Sequence, residues 1–207
     1  SLLVKLFWLS LDYDIAWDIV WLPRELNQRA DDLSKFVDVD DWRLGDRVWD
    51  TVQSYFGPFT CDRFAANGNN LLDCFCALHW CPGVWFVDCF SGSWEQGFSW
   101  WNPNPKEVPR ILSKVRKDRA HGALLLPVWA GAWWWTKLCP DGRHFGGLVR
   151  GWIELERSRD LFVKGASGCF WSKERPRTPV IVVWLDGTVD SGQDAGRLGF
   201  CAIGGCD

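Results

Sequence analysis

The sequence predicts an α/β chain in two parts, a short N-terminal unit over residues 1–40 and a larger unit over 42–160 built on an open, mostly parallel sheet. Three observations predict it. Short β-branched or aromatic runs alternate with stretches of helical periodicity along most of the chain. The acidic stretch Asp38, Asp40 and Asp41 interrupts this pattern, as clustered like charges that cannot be buried cheaply do in a linker. And 207 residues, 47% of them hydrophobic, are enough material for one α/β domain and part of a second.

In the first unit, Leu2, Leu3, Leu6, Phe7 and Leu9 recur at helical spacing and stop at the polar turn Asp12-Tyr13-Asp14. The run IAWDIVWL over 15–22 reads as a buried strand ending at Pro23. ELNQRADDLSK then restores helical periodicity through Leu26, Ala30 and Leu33. Helix, strand and helix are expected to pack together and to share little buried area with the rest.

In the second unit the pattern predicts a helix near 45–55, a strand from Phe59 to Asp62, the turn-rich AANGNN, a strand at VWFVDCF and an aromatic strand running into Asn102. Residues 107–119 form a basic amphipathic helix, and GALLLPVW a buried strand. Beyond Trp135 the pattern predicts a short helix near 145–154, then a C-terminal extension over 161–186 with a short strand, VIVVWLD. The Gly-rich stretch 187–207 has no periodicity and is expected to be a disordered tail.

A net charge of -3 supplies no bulk field for nucleic acid or membrane, so such contacts would need a local basic patch. Lys5, Asp12 and Asp14 break the first apolar stretch, and no run approaches the roughly 20 residues that span a bilayer, which predicts a soluble intracellular chain without a membrane partner. The nine Cys are odd in number and irregularly spaced, as expected of reduced cytosolic or nuclear thiols rather than a disulfide framework. A start at Ser1 and the absence of Met are expected of a piece of a longer reading frame.

WLPRELNQRADDLSK resembles the end of the ribonuclease H domain of retroelement reverse transcriptases, through the spacing of Pro23, Asn27, Ala30, Asp31, Leu33 and Ser34. The resemblance implies that Asp31 matches the last of four carboxylates that hold two metal ions, Mg2+ in the intact parent. Leu22 stands where that family has a turn His, and one carboxylate alone cannot hold the pair. From Asp41 to Asp186 the blocks DDWRL, YFGPFTCDRFAANGN, WCPGVWFVDCF, HGALLLPVWAGAWWW, GWIELERSRDLFVKG and VWLD resemble, in order, the region after ribonuclease H in retroelements that integrate by a tyrosine recombinase, the DIRS-like and Ngaro-like group. That region is in turn similar to phage-type N-6-adenine DNA methyltransferases. The fold implied is an incomplete ribonuclease H-like end followed by a Rossmann-like domain.

The methyltransferase resemblance implies that Asp62, at an early strand end, lies near an S-adenosylmethionine site. It implies too that Asn102, Pro103, Asn104 and Pro105 match an Asn-Pro-Pro-Tyr-like tetrapeptide, whose polar side chain and a backbone carbonyl accept hydrogen bonds from the exocyclic amine while the aromatic stacks on a flipped base. Here Pro105 replaces that aromatic, and no Gly-rich cofactor loop is visible. Asp88 is a further cofactor-cleft candidate without an assigned role, and read locally WNPNP is a strand-terminating loop.

Arg110, Lys114 and Lys117 are the nucleic-acid-binding candidates, set against the plainer reading of a solvated helix face. Cys74, Cys76, His79 and Cys81 invite zinc, but a Cys-x-Cys pair is strained as a chelate, so no metal site is expected. His121 and His144 have no Ser or Cys nucleophile motif near them. Trp184 stands where the recombinase group carries Arg, and single-base decay of Arg codons would account for the 17 Trp and the nine Cys together.

These readings converge on a fragment of a retrotransposon polyprotein, derived from reverse transcriptase and ribonuclease H, with a degenerate methyltransferase-like domain inactive alone. The alternatives are an active S-adenosylmethionine-dependent adenine methyltransferase and a host-adopted interaction module that uses exposed Trp. Nucleic acid is the partner expected of the parent polyprotein.

Overall fold

The computed structural model describes residues 2–16, 18, 20–28, 42–164, 176–189 and 198–199. The chain divides into two units, Ser1–Val37 and Asp38–Asp207, and each is described by itself.

In the first unit Leu2–Asp12 is helical. The helix ends where Asp14 turns to a φ of 52° and the Ile15 N–H reaches back to the Ser10 carbonyl at 2.9 Å, a left-handed stop made with Asp in place of the usual Gly. The expected strand over 15–22 is not formed at its described residues: Ile15, Val20, Trp21 and Leu22 are exposed. A strand needs a neighbour to satisfy its backbone, and the unit has none among the described residues. A 3-10 turn at Arg24–Leu26 follows; Asp31 and most of the expected second helix lie outside the described residues.

The second unit is a mixed α/β structure. In chain order it has β1 (Trp42–Leu44), the helix Asp46–Phe56, β2 (Cys61–Asp62), β3 (Cys76–Ala77), β4 (Phe86–Val87), β5 (Phe98–Trp101), the helix Val108–Lys117, β6 (His121–Pro127), a short helix Trp135–Leu138, β7 (Val149–Leu155), β8 (Phe162–Lys164), β9 (Val180–Asp186) and β10 (Leu198–Gly199). Six strands make the main sheet in the order β10-β7-β9-β6-β5-β2, while β1 pairs with β8 and β3 with β4. All neighbours in the main sheet run parallel except β9, which is antiparallel to both β6 and β7. The sheet is therefore mixed, with one reversed strand inside an otherwise co-directional set.

Two expectations are corrected here. Residues 149–155 are a strand, not a helix: Val149, Gly151, Ile153 and Leu155 are buried while Arg150, Trp152 and Glu154 are half-buried, a period of two that the sequence carries in VRGWIEL. And VIVVWLD is no peripheral extension. β9 fills the gap between β6 and β7 over its whole length, which is why five of its seven residues are fully buried. Of the expected tail, Leu198–Gly199 adds a strand beside Gly151 and Trp152.

Alternation along the strands builds a core on each face. Trp101, Leu124, Leu126, Ile181, Val183 and Leu185 pack on one side with Val108, Ile111, Leu112 and Val115 of the basic helix. The intervening residues Trp100, Ala123, Leu125, Val180 and Val182 pack on the other side with Trp49 and Val52. The helix Val108–Lys117 is amphipathic at i, i+3, i+4 and i+7, so each of its buried side chains contributes roughly 1.5–3 kcal/mol of apolar burial. A bulge between Val149 and Gly151 lets β7 serve both cores, Val149 and Trp152 on the first and Ile153 and Leu155 on the second. Among the described residues no helix is long and apolar enough to cross a membrane.

Candidate functional site

In sheets of this kind ligands bind beyond the carboxyl ends of the parallel strands. β2 and β5 lie side by side in parallel with Asp62 opposite Trp100, so Asp62 and Asn102 emerge at the same end of the sheet. Alternation also puts them on one face, because Asn102 is two residues beyond Trp100. The structure thus brings two sequence-predicted site residues into one neighbourhood.

Each of them is engaged within the fold. Asp62 is only 2% exposed, and its carboxylate accepts the Leu71 N–H at 3.1 Å and the Phe64 N–H at 3.4 Å, which fixes the loop after β2. Asn102 donates its amide to the Trp42 carbonyl at 2.8 Å, tying β5 to β1, and its Oδ1 is buried without a partner. Pro103 is buried, and the Asn104 side chain accepts the Lys106 N–H at 3.2 Å to start the 3-10 turn Pro105–Glu107. The local turn chemistry expected of WNPNP is what these contacts carry out. As an S-adenosylmethionine site the side chains do not fit: Asp62 is 2% exposed, and the Asn102 Oδ1 that would meet an exocyclic amine is buried.

The remaining candidates lie apart. Asp88 follows β4, outside the main sheet, and sits at φ 52° with its carboxylate accepting the Phe90 N–H at 3.2 Å, a cap for the turn Cys89–Ser91. The Arg110 guanidinium stacks 3.7 Å above the Phe90 ring and stands 3.9 Å from Glu107. Lys114 is half-buried with its Nζ 2.6 Å from Asp118, whereas Lys117 is exposed. The basic stripe therefore offers fewer free cations than its sequence suggests. Cys76 faces the core, His79 is exposed and Cys81 packs with Phe75 and Val84, so the Cys/His cluster is split; among the described residues no group of three or more His, Cys, Asp or Glu is placed to hold a metal ion. Leu78, Trp80 and Trp85 are exposed beside Phe86 and Val87.

Several engaged polar groups were not singled out by sequence reasoning. Arg63 is 5% exposed, donates Nε to the Ser99 hydroxyl at 2.7 Å and lies over Trp94. Its position directly after a strand-ending Asp is the one sequence signal for it. Asp118 accepts the Trp94 N–H at 2.9 Å; burial works against its ionisation, but Lys114 and that N–H outweigh burial and hold it below the usual carboxylate range. Asp186 at the end of β9 faces His121 Nδ1 at 3.2 Å and Arg150 Nε at 3.3 Å. Burial is outweighed there too, by Thr188, His121 and Arg150, and its carboxyl is likewise held low.

No protein-family model matches this chain, and no curated protein sequence matches it.

Proposed function

We propose that the chain is a piece of a retroelement polyprotein of the tyrosine-recombinase group, and that its second unit is a methyltransferase-like domain acting as a structural spacer rather than an enzyme. The ordered blocks from DDWRL to VWLD support the origin, and the α/β sheet with neighbouring strand ends at Asp62 and Asn102 supports the kinship. One observation carries the loss of activity. A target amine has to meet the Asn102 side chain, yet its amide is spent on the Trp42 carbonyl and its Oδ1 is buried. Pro105 also stands where an aromatic would stack, an interaction worth roughly 1–3 kcal/mol per base.

The rival reading is an active adenine methyltransferase, favoured by the convergence of Asp62 and Asn102 on one face of one sheet end. Two measurements separate them. The spacer reading expects no heat on titration with S-adenosylmethionine and no labelled methyl on adenine-containing DNA. Transfer above a blank that disappears in Asn102→Ala makes the domain an enzyme.

A further inference from the structure

Strand alternation gathers three thiols on one face. Asp62 bridges Phe75 in parallel. The Asp62 N–H donates to the Cys74 carbonyl at 2.9 Å, and the Ala65 N–H to the Cys76 carbonyl at 3.0 Å. In this register Cys61 lies opposite Cys74, and Cys76, two residues on, points the same way. The contacts agree: the Cys61 and Cys76 sulfurs are 3.8 Å apart, and Cys74 packs against the same core cluster that holds both. Cys61 is 4% exposed and Cys76 0%, in the core that holds Trp101, while Cys74 is half-buried against the same cluster. A close pair is thus sealed from solvent, with a third thiol between it and the surface.

We propose that Cys61 and Cys76 are a reversible disulfide site, closed by a small-molecule disulfide of the glutathione class that enters through Cys74. The Cys74 thiolate attacks one sulfur of the small disulfide, breaks its S–S bond and releases one small thiol. Cys61 gives up its proton and attacks the Cys74 sulfur, forming a Cys61–Cys74 bond and releasing the second small thiol. Cys76 then loses its proton and attacks the Cys61 sulfur, which forms the Cys61–Cys76 bond and returns Cys74 to the thiol. Two protein thiols are oxidised by two electrons, and one small disulfide is reduced to two thiols. Burial pushes Cys74 up to about 11, and the Cys76 hydrogen bond and burial push Cys61 up as well, so the attacking thiolates are scarce near neutral pH and oxidation is slow and faster in base. The bond would join the start of β2 to the start of β3 across the loop that holds the Asp62 carboxylate, a role beyond the spacer reading and independent of it.

The test treats the full chain with oxidised glutathione at pH 8, blocks remaining thiols with iodoacetamide, and maps the products by mass spectrometry. Chymotryptic cleavage after Phe75 separates Cys74 from Cys76. The expected product is a Cys61–Cys76 cross-link that dithiothreitol reverses. Cys74→Ser should slow its formation at least about tenfold, since the pair is then reached only by opening of the fold; Cys61→Ser should leave glutathione trapped on Cys74. A Cys61 that stays reduced or links elsewhere, or a Cys74→Ser protein that oxidises at the parent rate, overturns the proposal.

Discussion

The two ends of the central sheet are held by different physics. At the carboxyl ends of β2 and β5, Asp62 is bound by backbone N–H groups and Asn102 by a backbone carbonyl. At the opposite end, where β6 begins and β9 finishes, the chain is held by ion pairs, Lys114 with Asp118 and Arg150 with Asp186, and His121 Nδ1 lies 3.2 Å from the Asp186 carboxylate. Strand ends that bind ligands leave polar groups free for them. Here the end that could do so engages the Asp62 carboxylate and the Asn102 amide with its own backbone and buries the Asn102 Oδ1, and charge pairing is found where no ligand is expected. Polar residues at a strand end are thus not in themselves a site; what matters is whether their lone pairs remain available.

The largest effect should come from the ionic end. Asp118→Ala removes the partner of Lys114, whose side chain is 14% exposed, and the acceptor of the Trp94 N–H. Breaking a buried pair from one side costs about 3 kcal/mol, readable as a lower urea midpoint at unchanged slope. The pH dependence has a defined sign. The Asp118 carboxyl is held below its unfolded value of about 3.9, so its contribution is present above that pH and is lost as pH falls through the folded value. In Asp118→Asn this part of the acid loss below about pH 4 should disappear. A cost under about 1 kcal/mol for Asp118→Ala would mean that the pair is solvated, and the contrast between the ends would fail.

At the other end, Asp62→Ala should cost about 2 kcal/mol, because the half-buried Leu71 and Phe64 N–H groups lose their acceptor. Asp62→Asn keeps one acceptor oxygen and should cost less. The Leu71 and Phe64 N–H groups are neutral donors, so the share of each cost that comes from them should change little between low salt and 1 M salt. If instead Asp62→Ala stabilises the chain, the carboxylate is kept at the expense of stability, the mark of a functional group, and the enzyme reading gains.

Much of this was legible in the sequence where one pattern governed. The apolar spacing of Val108, Ile111, Leu112 and Val115 gave the helix, and GALLLP gave the strand beneath it. β9 was legible as a strand but not as the middle of the sheet, because pairing across more than fifty residues leaves no local trace. Residues 149–155 differ from the expected helix because their alternating run contains Gly151 and is only seven residues long, and the strand is fixed by pairing with the distant β9. Asp62 and Asn102 could be selected by type and position, but their hydrogen-bond partners, Leu71 and Trp42, come from a loop and a distant strand. The Trp excess keeps a physical trace: Trp100, Trp101 and Trp184 bury indole N–H groups with no acceptor, which packing alone does not ask for.

The smallest effect tests whether the ionic end is uniform. Arg150 and Asp186 have side chains 27% and 14% exposed and meet at 3.3 Å, so water screens this pair more than Lys114 and Asp118. Asp186 also accepts the Thr188 hydroxyl and N–H, which remain in place when the cation is removed. Arg150→Gln should therefore cost only about 0.5 kcal/mol, in the range of partly exposed pairs. The loss should shrink toward zero at 1 M salt, where the screening length falls to about 3 Å. A double-mutant cycle with Asp186→Asn, followed by urea denaturation at both salt concentrations, isolates the pair from the Thr188 contacts. A coupling above about 2 kcal/mol that ignores salt would make Asp186 a buried ionic anchor equal to Asp118; a coupling near 0.5 kcal/mol that salt removes makes Lys114 and Asp118 the principal ionic hold at that end.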